Sequence, residues 1–490
     1  MKNLKEKVKK EFESQIDINL CFDSSTLEAN SKKYSRKKIV IRRSILATIS
    51  IATLCIISIP IIKSLETKET FKQFKKQYSQ SELRQIEQDS FKKLNDVTYP
   101  ESNQTCIVSD EYRNSIIEFS NKIYSYIHQE NSSFSPLNLH MTLSILSLAS
   151  NNEIALSALD NLLGMNKETR ENDFINAYIN DYYYNSYGTI QMYNGYFSTN
   201  EYEENQDFIS SLTRHYTEAY RVNFKSDNAI NKILDWVDQK VQDKNFLNKK
   251  DLEIKESTAF ILMSTLYFKN SWWTSFNTKD TKKDSFYLED GSELDISYLF
   301  HSYYGDCYDY GDYISCYDYY TNGSKIKYLI PKNDISKSIF ELIQDENIFK
   351  DDETRKIIPK SDWLQNPIIN LRVPKFENEF MIDFSPILKE NGLEYLFNEG
   401  SHSFDYVFSN LPFDQSIYLS YVKQKNHISF DEDGTTIKSV TFAMGDNKAT
   451  AMPPMTADTI EVNLNRPFVY IVYDSNDLPI FVGNVNNPIK

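Results

Sequence analysis

The residues of this chain able to do chemistry are its six histidines, its five cysteines and its many carboxylates. Their spacing decides what is open to them. His128, His140, His215, His301, His402 and His427 are scattered, and none forms HExxH or pairs with a cysteine motif. No GxSxG elbow, Walker loop or GxGxxG occurs, so neither an activated serine nor a phosphate cradle is predicted. Asp306, Asp309 and Asp312 form an acidic triplet inside HSYYGDCYDYGDYISCYDYY. Its spacing differs from a calcium loop, and an exposed hairpin with an aromatic face is the reading of that segment. The carboxylates read as solvated surface groups. No cofactor, no metal and no catalytic activity are expected.

The strongest signal is a stretch that carries no catalytic motif at all. After Phe430 the chain has a strand-like run, then about 25 residues without a structural pattern, then two more strand-like runs. Ile460 to Leu464 alternates, and Pro467 to Tyr473 is apolar, β-branched and aromatic. An ordered body is therefore expected to present a long exposed loop, and such loops carry function.

The 490 residues allow one large domain or two to three smaller ones. A net charge of −15 argues against a nucleic-acid groove. Basic residues do cluster once, at Lys32, Lys33, Arg36, Lys37, Lys38, Arg42 and Arg43, just ahead of the uncharged run Ser44–Ile62. At about 1.5 Å per residue that run spans roughly 28 Å, the thickness of a bilayer's hydrocarbon core. Residues 1–43 are read as a cytoplasmic tail, 44–62 as a transmembrane helix and 63–105 as a stalk. The remainder, 106–490, is then extracellular. Cys106, Cys307 and Cys316 are too few for a disulfide framework. Cys307 and Cys316 either pair across a hairpin or remain free thiols.

Helical stripes run through Ile116, Phe119, Ile123 and Ile127, through Leu139, Leu143, Leu146 and Ala149, and through Leu159, Leu162 and Leu163 to Gly164 as C-cap. Phe208, Leu212, Tyr216 and Ala219 give another, and Ile230, Ile233, Leu234, Val237 and Val241 the cleanest. Strands are predicted at Thr189–Phe197, at Ile326–Ile330, at Ile368–Val373 and at Ser416–Val422, with Ala259–Lys269 buried on both faces. Helices dominate the first half and strands the second. One α+β domain of roughly 385 residues is expected.

From about Cys106 to Pro488 the chain resembles the serpins. Phe134-Ser135-Pro136 is similar to the family's FSP element, and Tyr267-Phe268-Lys269 with Trp272 and Phe276 to its YFKGxW...F segment. Val373-Pro374-Lys375-Phe376 with Leu388, Gly392 and Phe397 resembles the PKF stretch. Glu432, Gly434 and Thr435 resemble the hinge. Arg466-Pro467-Phe468 with Phe481, Gly483, Val485 and Pro488 resembles the RPF ending. The resemblance implies three β-sheets, eight to nine helices and an exposed reactive-centre loop. In the family a target serine protease cleaves this bait loop, which then inserts as a new central strand and drags the acylated protease with it. The inhibitor is a suicide substrate and supplies no catalytic residue.

Insertion places alternate residues inside the body. The inward set is Thr435, Ile437, Ser439 and Thr441, all uncharged, while Lys438 faces outward. The resemblance assigns Ser135, Asn138, Ser264, Trp272 and Gln424 to the polar cluster and hinge-end pocket under the main sheet. Ser264 and Gln424 depart from the family's usual Asn and His there. By family spacing the bait bond follows the fourteenth residue after Gly434, giving Lys448-Ala449. A lysine suits a trypsin-like pocket, and a subtilisin-like target is the other class considered. The loop from Gly434 to Phe468 is about eight residues longer than in typical relatives, counting back from Phe468 gives Thr456, and Met444-Gly445 is the next candidate bond. Ile437 and Lys438 depart from the alanine run of inhibitory members. That departure keeps in view a non-inhibitory serpin acting as a binding or chaperone-like module. A monomer is expected.

Overall fold

The computed structural model describes residues 90–102, 104–127, 131–185, 188–255, 257–332, 348–359, 366–437 and 459–489. The predicted tail and membrane helix lie outside the described residues, among which no helix is long and apolar enough to cross a membrane.

Seven α-helices occur among the described residues, against the eight to nine implied by the resemblance. They are α1 (Asp110–Tyr124), α2 (Pro136–Leu148), α3 (Glu153–Leu163), α4 (Lys167–Asn180), α5 (Gln206–Arg214), α6 (Asp227–Lys240) and a single turn, α7 (Ser385–Leu388). The first six start at Ser109, Ser135, Asn152, Asn166, Asn205 and Ser226, whose side chains each accept a first-turn amide. These caps satisfy donors the helix itself leaves open. Gly164 ends α3 in the left-handed region, at φ 73°. Helix α2 is buried on every side except at Thr142, as a helix with apolar residues all round must be.

The strands up to the middle of the chain are β1 (Phe91–Lys93), β2 (Asn131–Phe134), β3 (Tyr183–Tyr184), β4 (Gly188–Thr199), β5 (Thr217–Val222) and β6 (Phe260–Ser271). Next come β7 (Lys282–Tyr287), β8 (Glu293–Tyr304), β9 (Cys307–Asp309), β10 (Tyr313–Tyr319), β11 (Lys325–Pro331) and β12 (Ile368–Pro374). The last are β13 (Glu377–Asp383), β14 (Lys423–Phe430), β15 (Gly434–Ile437), β16 (Thr459–Asn463), β17 (Phe468–Tyr473) and β18 (Pro479–Val485). They form three sheets: an eight-stranded one in the order β1-β5-β4-β6-β15-β14-β13 with β3 on β4, a six-stranded one, β2-β18-β17-β11-β10-β9, and a four-stranded one, β16-β12-β8-β7. The six-stranded sheet carries two strands buried along their whole length, β17 and β18.

Five sequence readings change. The folded body begins before Cys106, because β1 pairs with β5 and Tyr99 donates a 2.9 Å hydrogen bond to Glu218; the end of the predicted stalk is thus part of the domain. The helix ending in Tyr216 and Ala219 stops at Arg214; Tyr216 takes φ 51° and Ala219 lies in β5. Ser416–Val422 is no strand, since its amides bond to helical elements instead, Leu419 N to Leu396 O and Val422 N to the Ser385 hydroxyl of α7. The ladder starts only at Lys423. The tyrosine-rich hairpin is β9 and β10, but Tyr303, Tyr308, Tyr313, Tyr317 and Tyr320 are buried, and Cys307 and Cys316, directly opposite in register, form a disulfide. Its acids Asp306 and Asp309 bind Lys356 and Lys332. Finally, β6 is only half-buried from Phe260 to Ser264, because one of its edges opens onto a gap.

Candidate functional site

The site lies in the middle of the large sheet, where β14 turns back through Asp431–Gly434 into β15. The Asp431 carboxylate accepts the amides of Asp433 and Gly434, each at 3.0 Å, so the side chain itself folds the turn. Glycine is required at 434, because a Cβ there would stand 2.1 Å from the Asn270 carbonyl oxygen. β15 then pairs antiparallel on both sides, Gly434 with Ser271 through Ile437 with Phe268 on β6, and Thr435 with Phe430 and Thr436 with Ser429 on β14.

Side chains from other elements hold this short strand. Thr435 is completely buried and shares a 2.7 Å hydrogen bond with the Tyr320 hydroxyl. Tyr320 in turn stacks on Trp272, ring centres 4.7 Å apart, and the Trp272 indole N–H donates to Asp431 O at 3.0 Å. Glu432 accepts from Lys375 at 2.7 Å and from Thr281 at 3.0 Å. Burial works against its ionisation, yet these two partners outweigh it and hold the carboxyl below the usual range.

Beyond Ile437 the flanking strands part. Among the described residues, β6 pairs onward only with β4, and β14 only with β13. Between them is a cavity of about 710 Å³, lined among others by Ser135, Asn138, Ser264 and Gln424. Gln424 accepts from the Ser135 amide at 2.7 Å and donates to Ser135 O at 3.2 Å and to the Asn138 side chain at 3.3 Å. Asn426 adds a bond to Gln424 and one to Ser133 O. Across the gap, the Ser264 hydroxyl donates to Asn194. Glutamine, serine and asparagine thus build a polar floor on the cap of α2.

The structure therefore brings together Ser135, Asn138 and Gln424, places Ser264 on the opposite wall, and sets Trp272, Glu432, Gly434 and Thr435 at the closed end of the gap. The Ile437 side chain and Ser439, Thr441, Lys448 and Ala449 lie outside the described residues. Sequence reasoning missed Tyr320, Lys375, Thr281, Asp431 and Asn426. Lys375 was visible in the PKF motif and Tyr320 in the tyrosine run, but only folding shows that both serve the hinge.

Among the described residues, a short strand is thus seated between two partners, above a cavity that separates them. That architecture has a family. The model of the serpins, described as serine protease inhibitors, matches residues 114–488, and the chain belongs to the serpin family. It is 24% identical to mouse (Mus musculus) alpha-1-antitrypsin 1-5 over 396 residues, covering 78% of this chain and 90% of that one. Over 284 residues it is 26% identical to serpin-Z4 of Hordeum vulgare, covering 56% and 67% respectively. The native crystal structure of tengpin, a thermophilic serpin, superposes with a TM-score of 0.65 at 20% identity, covering 80% of this chain and 97% of tengpin.

Proposed function

We propose that this protein inhibits serine proteases as a suicide substrate, by cleavage and insertion of the loop between Ile437 and Thr459. One observation carries the reading: β15 occupies the first positions of a lane between β6 and β14 that no other described strand fills. The similarity to alpha-1-antitrypsin supports it. After attack at the bait bond, the acylated protease remains on the amino-side fragment. Ser439 and Thr441 follow Thr435 and Ile437 into the body, uncharged, while Lys438 stays in solvent. Each new ladder bond contributes about 1 kcal/mol net, and the energy comes from a native state held in a trap.

Lys448-Ala449 is the proposed bond and a trypsin-like protease the proposed target, with subtilisin-like enzymes as the second class. Residues 44–62 anchor the chain in a membrane with residues 1–43 cytoplasmic and the serpin domain outside. The Cys307–Cys316 disulfide supports an oxidising surrounding. To test inhibition, the domain is incubated with proteases of both classes and run on a denaturing gel. A covalent adduct whose released carboxyl-terminal peptide starts at Ala449 is expected. Loop cleavage without any adduct would overturn inhibition and favour the binding-module reading, which Ile437-Lys438 motivates.

A further inference from the structure

Three Asn-x-Ser/Thr triplets occur in the chain: Asn103-Gln104-Thr105, Asn131-Ser132-Ser133 and Asn322-Gly323-Ser324. Such a triplet is the acceptor of N-linked glycans when it meets the secretory lumen and lies on a surface. Asn103 lies outside the described residues. Asn131 is fully engaged in β2: its Oδ1 accepts the amides of Asn486 and Asn487 at 2.8 and 3.0 Å, and its Nδ2 donates to Asn487 O at 2.7 Å. A sugar on that nitrogen would remove the bond that fastens the carboxyl end.

Asn322 is placed differently. It sits at the tip of the turn between β10 and β11, partly exposed, beside the exposed Gly323 at φ 87°. Its Oδ1 accepts the Ser324 amide at 3.1 Å, an Asx turn that needs no donor from Nδ2. A Cβ on Gly323 would find only Ser475 within 4 Å, at 3.7 Å. The tip is open.

We propose that Asn322 carries an N-linked oligosaccharide. The proposal rests on the external placement of the domain. The donor is a lipid-diphosphate-linked oligosaccharide. The bond from its anomeric carbon to the diphosphate oxygen breaks, a bond to Asn322 Nδ2 forms, one Nδ2 proton passes to a base of the transferase, and the lipid diphosphate leaves. The glycan stands at the hinge end of the sheet, since Thr321 N bonds Ser271 O, and Ser271 pairs with Gly434. The open lane begins toward the other end of β6, along Phe260–Leu266, so the sugar leaves it free.

The test expresses the full chain in a eukaryotic secretory host with an Asn-Ala-Thr tag after Lys490, beside N103Q and N322Q variants. Peptide-N-glycosidase should speed migration of the parent by more sites than of N322Q, and mass spectrometry should find residue 322 converted to aspartate. If the tag is glycosylated and residue 322 is not converted, the Asn322 proposal fails while the external placement stands. If tag and Asn322 are both unmodified, the external placement fails and takes the proposal with it.

Discussion

Thr435 decides how the hinge behaves. It lies inside the sheet, without exposure, against Tyr320 and two flanking strands. An arginine there must either bury a charge, at a cost on the order of 3 kcal/mol or more, or pull the strand out. Thr435→Arg should therefore leave the loop cleavable but cut the yield of covalent protease adduct at least tenfold, read as the molar ratio needed for full inhibition. An unchanged ratio would remove Thr435 from the insertion path. A second buried group controls stability through pH. Asp474 is pushed up to about 6, first by burial, and burial and the neighbouring Asp474 carboxyl raise Asp181 as well. Carboxyls with raised folded values stabilise fully below the unfolded value of about 3.9 and lose that contribution as pH rises through the folded value. Asp181→Asn should accordingly match the parent's melting temperature near pH 4 and exceed it at pH 8. A deficit of equal size at both would show that Asp181 is not held above its ordinary range in the folded protein.

At the scale of elements, the cap of α2 links helix and lane. The Ser135 hydroxyl accepts the Asn138 amide at 3.2 Å while its main chain bonds Gln424, so Ser135→Ala removes the cap and leaves the floor in place. A loss of about 1 kcal/mol is expected, or roughly 1–2 °C in melting temperature for a domain of about 385 residues. No change would mean that α2 is held by burial alone. The same helix shows what the sequence made legible. Ser-Pro before an apolar stripe predicted its start correctly, and the stripes of α1, α3 and α6 were equally plain, because capping and periodicity are local. Tertiary partners defeated the other readings. Ser416–Val422 has strand composition but finds the Leu396 carbonyl and the Ser385 hydroxyl of α7 as acceptors in place of a neighbouring strand. Tyr313 and Tyr317 of β10 looked like a surface face and are core, because their rings pack against Tyr310, Tyr308 and Tyr473. In the site, Gly434 and the polar residues around Gln424 could be picked out by resemblance, whereas the Tyr320–Thr435 bond joins residues 115 positions apart, a distance no local pattern spans.

For the whole molecule, the proposed anchor makes a simple demand. The full chain should stay with membranes through alkaline carbonate washing, and a chain lacking 44–62 should be released; retention of the shortened form would disprove that anchor. The central claim concerns the lane itself. About ten ladder bonds gained at roughly 1 kcal/mol each, against an unfolding entropy of about 0.8 kcal/mol/K for a domain of about 385 residues, correspond to a rise of about 12 °C in melting temperature. The direct measurement is the melting temperature of the serpin domain before and after a single cut within residues 438–458. A rise of that order is predicted, because the freed strand enters between β6 and β14 behind β15. An unchanged melting temperature, with the cut verified, would contradict insertion and with it the inhibitory account.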